Sequence, residues 1–196
     1  MPLRTIIRPI LHTSFELRWH GRGGQGAVTA AIIVAEAAIF DEKYAQAFPE
    51  FGAERRGAPV KAYTRVSEQQ ILTRSPIIAP DMVVVLDTSI DEKIYLDGLK
   101  VGGTILINSS KGKSELKEKI EREDVMIAKV DATHIAMDEL GAAIVNTAMV
   151  GALIKVTPLA KLDSVSEAIR ENFKPKIAEA NVKAAGRAYN EVEVLN

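Results

Sequence analysis

The run His20-Gly21-Arg22-Gly23-Gly24-Gln25-Gly26 holds the residues of this chain best suited to ligand chemistry. Gly21, Gly23 and Gly26 stand in G-x-G-x-x-G spacing. Glycines admit positive φ and let another molecule approach the backbone. Free N–H groups at the start of a following helix attract an anion, above all a phosphate. Arg22 inside the turn suits a phosphate or a carboxylate. His20 is the better functional candidate among His12, His20 and His134; His134 at a helix start reads as structural. A second cluster, Glu54-Arg55-Arg56, follows Phe51-Gly52-Ala53. Two arginines beside a glycine-flanked bend can grip a phosphate or a partner's carboxylate. The plain alternative is a solvated loop whose ion pairs are worth under about 1 kcal/mol each. Asn146-Thr147 interrupts an apolar stretch. That pair either meets the glycine turn or a partner, or is satisfied inside the fold, as most buried polar groups are.

Composition removes several chemistries. With no cysteine the chain can form no disulfide, no thiol nucleophile and no cysteine-ligated iron–sulfur cluster. The histidines show no HxxxH spacing, so no metal site is expected. A net charge of −1 provides no global basic field for nucleic acid or an anionic membrane. The longest apolar run, Ala142 to Ile154, contains Asn146, Thr147 and Gly151 and falls short of a membrane span. The opening residues are too interrupted for a signal peptide, and a cytoplasmic location is expected.

The elements that must position these groups follow from periodicity. Residues 1–13 read as an irregular arm. Phe15 to Trp19 alternates as a strand, and Ala27 to Phe40 is apolar enough for a buried helix. Asp41 to Gly57 shows no strong period and reads as a long structured loop rich in aromatics. Val60 to Val66 is a strand, and Gln70 to Ile77 is a candidate short one. Met82 to Leu86, Thr104 to Ile107 and Val125 to Val130 read as strands; the unbroken apolar run Met82 to Leu86 has the character of a central parallel strand. Helices are expected over Glu92 to Leu99, Ser114 to Glu123, His134 to Leu140, Ala142 to Lys155 and Lys174 to Val192, the last with an interruption at Gly186. Ser164 with Glu167 has capping-box spacing for a further helix. Alternating strands and helices define an α/β fold over residues 1–196: one domain with a mostly parallel central sheet flanked by helices, Rossmann-like in outline. Sites in such sheets form at strand carboxyl ends, here Gly21 to Gly26, Asp87-Thr88-Ser89, Asn108-Ser109-Ser110 and Asp131-Ala132-Thr133. Caps and turns account for Asp81, Asp87 and Asp131.

A stand-alone NAD(P)-binding oxidoreductase is one reading of the glycine turn. That fingerprint wants an acidic residue about twenty positions on, at the end of a second strand. No clear second strand follows the first helix, and Arg22 is a bulky occupant for such a turn. Three blocks in order point elsewhere: Arg18 to Gly26, Gln46 to Val60 and Asn146 to Leu153. They resemble the H-G-x-G-G-Q-G turn, the second block and the N-T-x-M-x-G-A-L helix of the gamma subunits of 2-oxoacid:ferredoxin oxidoreductases. The resemblance covers roughly residues 14 to 192. It is strongest to the pyruvate enzyme, with the branched-chain 2-oxoisovalerate enzyme as the related alternative. It implies a complex that converts a 2-oxoacid to acyl-CoA and CO2 while reducing ferredoxin. It also implies alpha, beta and delta partner subunits, with thiamine diphosphate, magnesium, iron–sulfur clusters and coenzyme A serving the complex rather than held by this chain. No catalytic residue is then expected here. His20 to Gly26, Glu54, Arg55, Arg56, Asn146 and Thr147 become ligand or interface contacts.

Overall fold

The computed structural model describes residues 14–50 and 57–195. The arm expected over residues 1–13 and the Glu54-Arg55-Arg56 cluster lie outside the described residues. The elements in chain order are β1 (Phe15–Arg22), α1 (Ala27–Phe40), β2 (Tyr44–Pro49), β3 (Pro59–Ser67), β4 (Met82–Val85), α2 (Glu92–Leu96), β5 (Thr104–Asn108), α3 (Lys113–Ile120), β6 (Met126–Val130), α4 (Ala132–Leu140), α5 (Asn146–Val156), α6 (Leu162–Asn172), α7 (Pro175–Glu191) and β7 (Glu193–Leu195). One seven-stranded sheet has the order β2-β3-β1-β4-β5-β6-β7. β1, β4, β5 and β6 pair in parallel. β3 runs against both β1 and β2, and β7 against β6.

The inner strands β1, β4, β5 and β6 are covered on both faces, so their side chains split between two cores. Leu17, Trp19, Met82, Val84, Leu106, Ala128 and Val130 face the inner core, with α1, α4, α5, α6 and α7. Val83, Val85, Ile105, Ile107 and Ile127 face α2 and α3 through Tyr95, Leu116 and Ile120. α1 is apolar around most of its circumference, as a helix buried inside a domain must be. Its alanines Ala27, Ala30, Ala31, Ala37 and Ala38 let it lie close on the sheet. Trp19 Nε1 donates to Thr64 Oγ1 at 3.0 Å, and Thr64 Oγ1 donates to the Ala31 carbonyl at 3.2 Å. One hydroxyl thus ties β1, β3 and α1 together. The helix after β1 lies on one face and those after β4 and β5 on the other. The gap between the carboxyl ends of β1 and β4 is therefore the switch point at which such sheets bind ligands.

Several expectations change. Tyr44 to Pro49, read as loop, is the edge strand β2, held by β3. Gln70 to Ile77 is not a strand; the sheet ends at β2, and this segment joins no ladder. That segment is clipped down by side chains instead: Arg65 Nη2 donates to the Ser75 carbonyl at 2.6 Å, and Gln46 Nε2 to that of Ile71 at 3.3 Å. β1 runs three residues past Trp19, so Gly21 and Arg22 belong to the strand and face Val60 and Pro59. α2 stops at Leu96 because Gly98 takes φ +69 with a would-be Cβ 2.2 Å from the Ile78 carbonyl oxygen. Ser164 caps nothing: α6 begins at Leu162, and Ser164 Oγ donates to Asp41 at 2.7 Å. Asp41 also accepts from the Lys161 N–H at 2.5 Å, so the residue ending α1 secures the start of α6. α5 starts at Asn146 rather than Ala142, α7 passes Gly186 unbroken, and β7 had no signal in the sequence.

Candidate functional site

The glycine turn is a closed hydrogen-bonded structure. Gly24 and Gly26 take φ +94 and +79, a region that resists any other residue. The Gly23 N–H donates to the Ala58 carbonyl at 2.9 Å, and the Gly57 N–H to that of Gly23 at 3.2 Å. The Gln25 side chain folds back across the turn. Its Oε1 accepts from the Arg22 N–H at 2.7 Å, and its Nε2 donates to Asp87 Oδ2 at 2.8 Å. Asp87 Oδ1 accepts from the Ser89 N–H at 2.9 Å and from Ser89 Oγ at 2.6 Å. Ser89 Oγ in turn accepts from Arg22 Nε and Nη2 at 3.1 and 2.9 Å. Arg22 Nη1 donates to the Gly57 carbonyl at 3.1 Å, and Arg22 Nε lies 3.3 Å from Asp87. Burial pushes the Asp87 pKa upward, but the bonds from Ser89 and Gln25 and the Arg22 charge outweigh it and hold the carboxyl below its ordinary value.

Gly26 ends the turn as the residue before α1, and it brings no side-chain cap. No acidic side chain occupies the first turn of α1. The N–H groups of Ala27, Val28 and Thr29 therefore have no carbonyl within the helix, and the positive end of its dipole is uncompensated. A cavity of about 400 Å³ opens there, bordered by Arg22, Gly24, Gly26, Thr29, Pro49 and Val60. A second cavity of about 650 Å³ lies over the carboxyl ends of β4, β5 and β6, with Gln25, Asp87, Asn108, Lys111, Thr133 and His134 on its walls. The larger groove of about 940 Å³ lies between α3 and the start of β6. Its Arg122 is engaged by Asp124 at 2.5 and 2.6 Å, so that cation is already spent.

The remaining candidate residues divide. His20 is buried on the outer face of β1, and its Nε2 accepts from Arg18 Nε at 2.9 Å. Burial first, then Arg18 and Lys61, push its pKa down to about 3. A neutral, enclosed ring of this kind braces the strand. Asn146 packs directly under the turn: a Cβ on Gly26 would sit 2.5 Å from its Nδ2. Its neighbour Thr147 is satisfied inside the fold, donating through Oγ1 to Asn181 Oδ1 at 2.8 Å. Asp87 and Ser89 were legible only as strand-end residues, because their tie to Gln25 and Arg22 spans more than sixty positions. Among the described residues no group of three or more His, Cys, Asp or Glu side chains converges as a metal site. The second strand that a dinucleotide site needs is missing from its place: the neighbour of β1 on that side is the antiparallel β3.

This site and sheet define an α/β domain with an anion-ready glycine turn at its switch point and no acid–base constellation of its own among the described residues. The sequence pattern of the pyruvate ferredoxin/flavodoxin oxidoreductase family matches residues 16–191, and the chain belongs to that family. It is 50% identical over 181 residues to the pyruvate/ketoisovalerate oxidoreductases common subunit gamma of Pyrococcus abyssi, covering 92% of this chain and 98% of the other. It is 50% identical over 178 residues to the pyruvate synthase subunit PorC of Methanocaldococcus jannaschii, covering 90% and 96%. The crystal structure of the pyruvate oxidoreductase subunit PORC of Thermotoga maritima superposes with a TM-score of 0.83 at 39% identity, covering 93% of this chain and 99% of that one. The same fold recurs at a TM-score of 0.75 and 18% identity in a 2-oxoglutarate:ferredoxin oxidoreductase from Magnetococcus marinus, where it spans 30% of the longer chain.

Proposed function

We propose that the chain is the gamma subunit of a multi-subunit pyruvate (2-oxoacid):ferredoxin oxidoreductase, and that its glycine turn contacts coenzyme A. The enzyme oxidatively decarboxylates a 2-oxoacid to acyl-CoA and CO2 and passes the electrons to ferredoxin. Thiamine diphosphate with magnesium would supply the decarboxylation chemistry and iron–sulfur clusters the electron path, on alpha, beta and delta partners. A chain without cysteine leaves cluster ligation to those partners. The observation that carries this chain's own part is the uncapped first turn of α1 opening into the cavity at Thr29. Backbone N–H groups there suit a phosphate of coenzyme A.

The test is Thr29→Glu in the assembled enzyme. A carboxylate in the first turn favours the helix, so folding is spared while the cavity mouth becomes anionic. The KM for coenzyme A should rise about ten-fold, equivalent to about 1.4 kcal/mol, with the KM for the 2-oxoacid unchanged. An unaltered KM for coenzyme A would leave the chain as scaffold alone. One observation supports a broader assignment: relatives are named as a subunit common to pyruvate and ketoisovalerate oxidoreductases. The chain then serves more than one 2-oxoacid enzyme, and a tagged copy should co-purify with two sets of thiamine-binding partners.

A further inference from the structure

We infer that Asp87 is the positioning residue of the glycine turn, acting through the polarity of the Gln25 amide. The two oxygens of Asp87 have separate partners. Oδ1 accepts from Ser89, and Oδ2 accepts from Gln25 Nε2. Because Oδ2 only accepts, it forces the amide nitrogen of Gln25 toward β4. The amide oxygen is thereby left to accept from the Arg22 N–H. That N–H has no ladder partner: the bond to the β3 side is made by the next residue, Gly23, so the Arg22 N–H points to the β4 side, where pairing with β1 ends at His20 and Val85. The order Asp87, Gln25, Arg22 is thus a one-way chain of donors and acceptors running from the end of β4 to the end of β1. Ser89 closes it by accepting from the Arg22 guanidinium. The geometry of the turn, and the direction in which the first N–H groups of α1 point, depend on this chain holding its sense.

Reversing the sense gives a decisive experiment. Gln25→Glu places a second carboxylate oxygen against Asp87 Oδ2, where two acceptors meet. Asp87→Asn places a donor against Gln25 Nε2; turning either amide over only moves the clash to the Arg22 N–H or the Ser89 N–H. In the double variant the new amide at position 87 would donate to the new carboxylate at position 25. That carboxylate still accepts from Arg22, and the amide oxygen at position 87 still accepts from Ser89. Net charge is conserved and each of these hydrogen bonds is restored; only the 3.3 Å approach of Arg22 Nε to a carboxylate at position 87 is lost.

The direct readout is deuterium uptake at the Arg22 amide in the assembled enzyme without coenzyme A. Each single variant should exchange at least about ten-fold faster, and the double variant should return to within about three-fold of the parent. Single variants that exchange like the parent, or a double variant faster than either single, would overturn the assignment. The KM for coenzyme A is the second readout and rests on the reading that the turn contacts that substrate. It should rise in the single variants and recover in the double, with the change falling on KM rather than kcat. Exchange that follows the expected pattern while this KM never moves supports Asp87 as the positioning residue and removes coenzyme A from the turn.

Discussion

The imidazole of His20 shows how a two-residue period decides a role. β1 continues to Arg22, so Arg18 and His20 share its outer face while Leu17 and Trp19 point to the inner core. The histidine that opens the glycine motif is therefore carried away from the turn. The sequence could not show this, because the glycines hide where the strand ends. Folding removes the ring from water beside Arg18, and its pKa falls to about 3 from an ordinary 6.5. The unfolded chain protonates His20 near pH 6.5 and the folded chain does not. Stability from this residue is therefore complete above about pH 6.5, falls with pH below it and levels off under about pH 3. At 1.36 kcal/mol per pH unit, passing from pH 6.5 to 5 costs about 2 kcal/mol. His20→Gln retains an acceptor for Arg18 Nε and removes the titration. In chemical denaturation the parent should lose about 2 kcal/mol more than the variant across that interval. Equal losses would mean that folding does not hold His20 neutral.

At the scale of elements, the sequence was most legible where burial is complete. β4, β5 and β6 are short apolar runs with no exposed face to confuse the period, and their positions were readable to within a residue or two. β2 was hidden because an edge strand borrows its order from β3, and β7 because three residues carry no period. The α5–α7 contact was hidden for a different reason: a glycine's packing role depends on what crosses it. A Cβ on Gly151 would sit 1.9 Å from the Ala185 carbonyl oxygen, whereas one on Gly186 would meet nothing within 4 Å. Both glycines lie inside helices, where alanine is intrinsically better by about 1 kcal/mol. Gly186→Ala should therefore stabilise the chain by about 0.5–1 kcal/mol. Gly151→Ala should destabilise it by about 2–3 kcal/mol, because backbone cannot yield as a side chain can and α5 must lift off α7. Urea denaturation of both variants checks the pair, and effects of the same sign would show that this helix contact is not set by Gly151.

For the whole molecule, the question is what a chain can contribute to a redox enzyme when it brings no cysteine and no converging acid–base group among its described residues. The fold answers with a rigid frame: two cores, one sheet, and a turn fixed by ties from β1, β4 and the start of β3. Such a frame suits whatever is common to every reaction of the complex rather than what distinguishes them. In the function proposed above, coenzyme A is common to all 2-oxoacids; the side chain of the acid is not. This separates two kinds of gamma subunit. If the chain meets only the shared substrate, the factor by which Thr29→Glu raises the KM for coenzyme A should be the same, within about two-fold, with pyruvate and with 2-oxoisovalerate as the second substrate. The KM for each acid should stay at its parent value. Steady-state kinetics of the assembled enzyme with both acids measures this directly. A factor that differs ten-fold between the acids would place this chain at the wall of the 2-oxoacid pocket. The shared-subunit reading would then fail even if the coenzyme A contact stood.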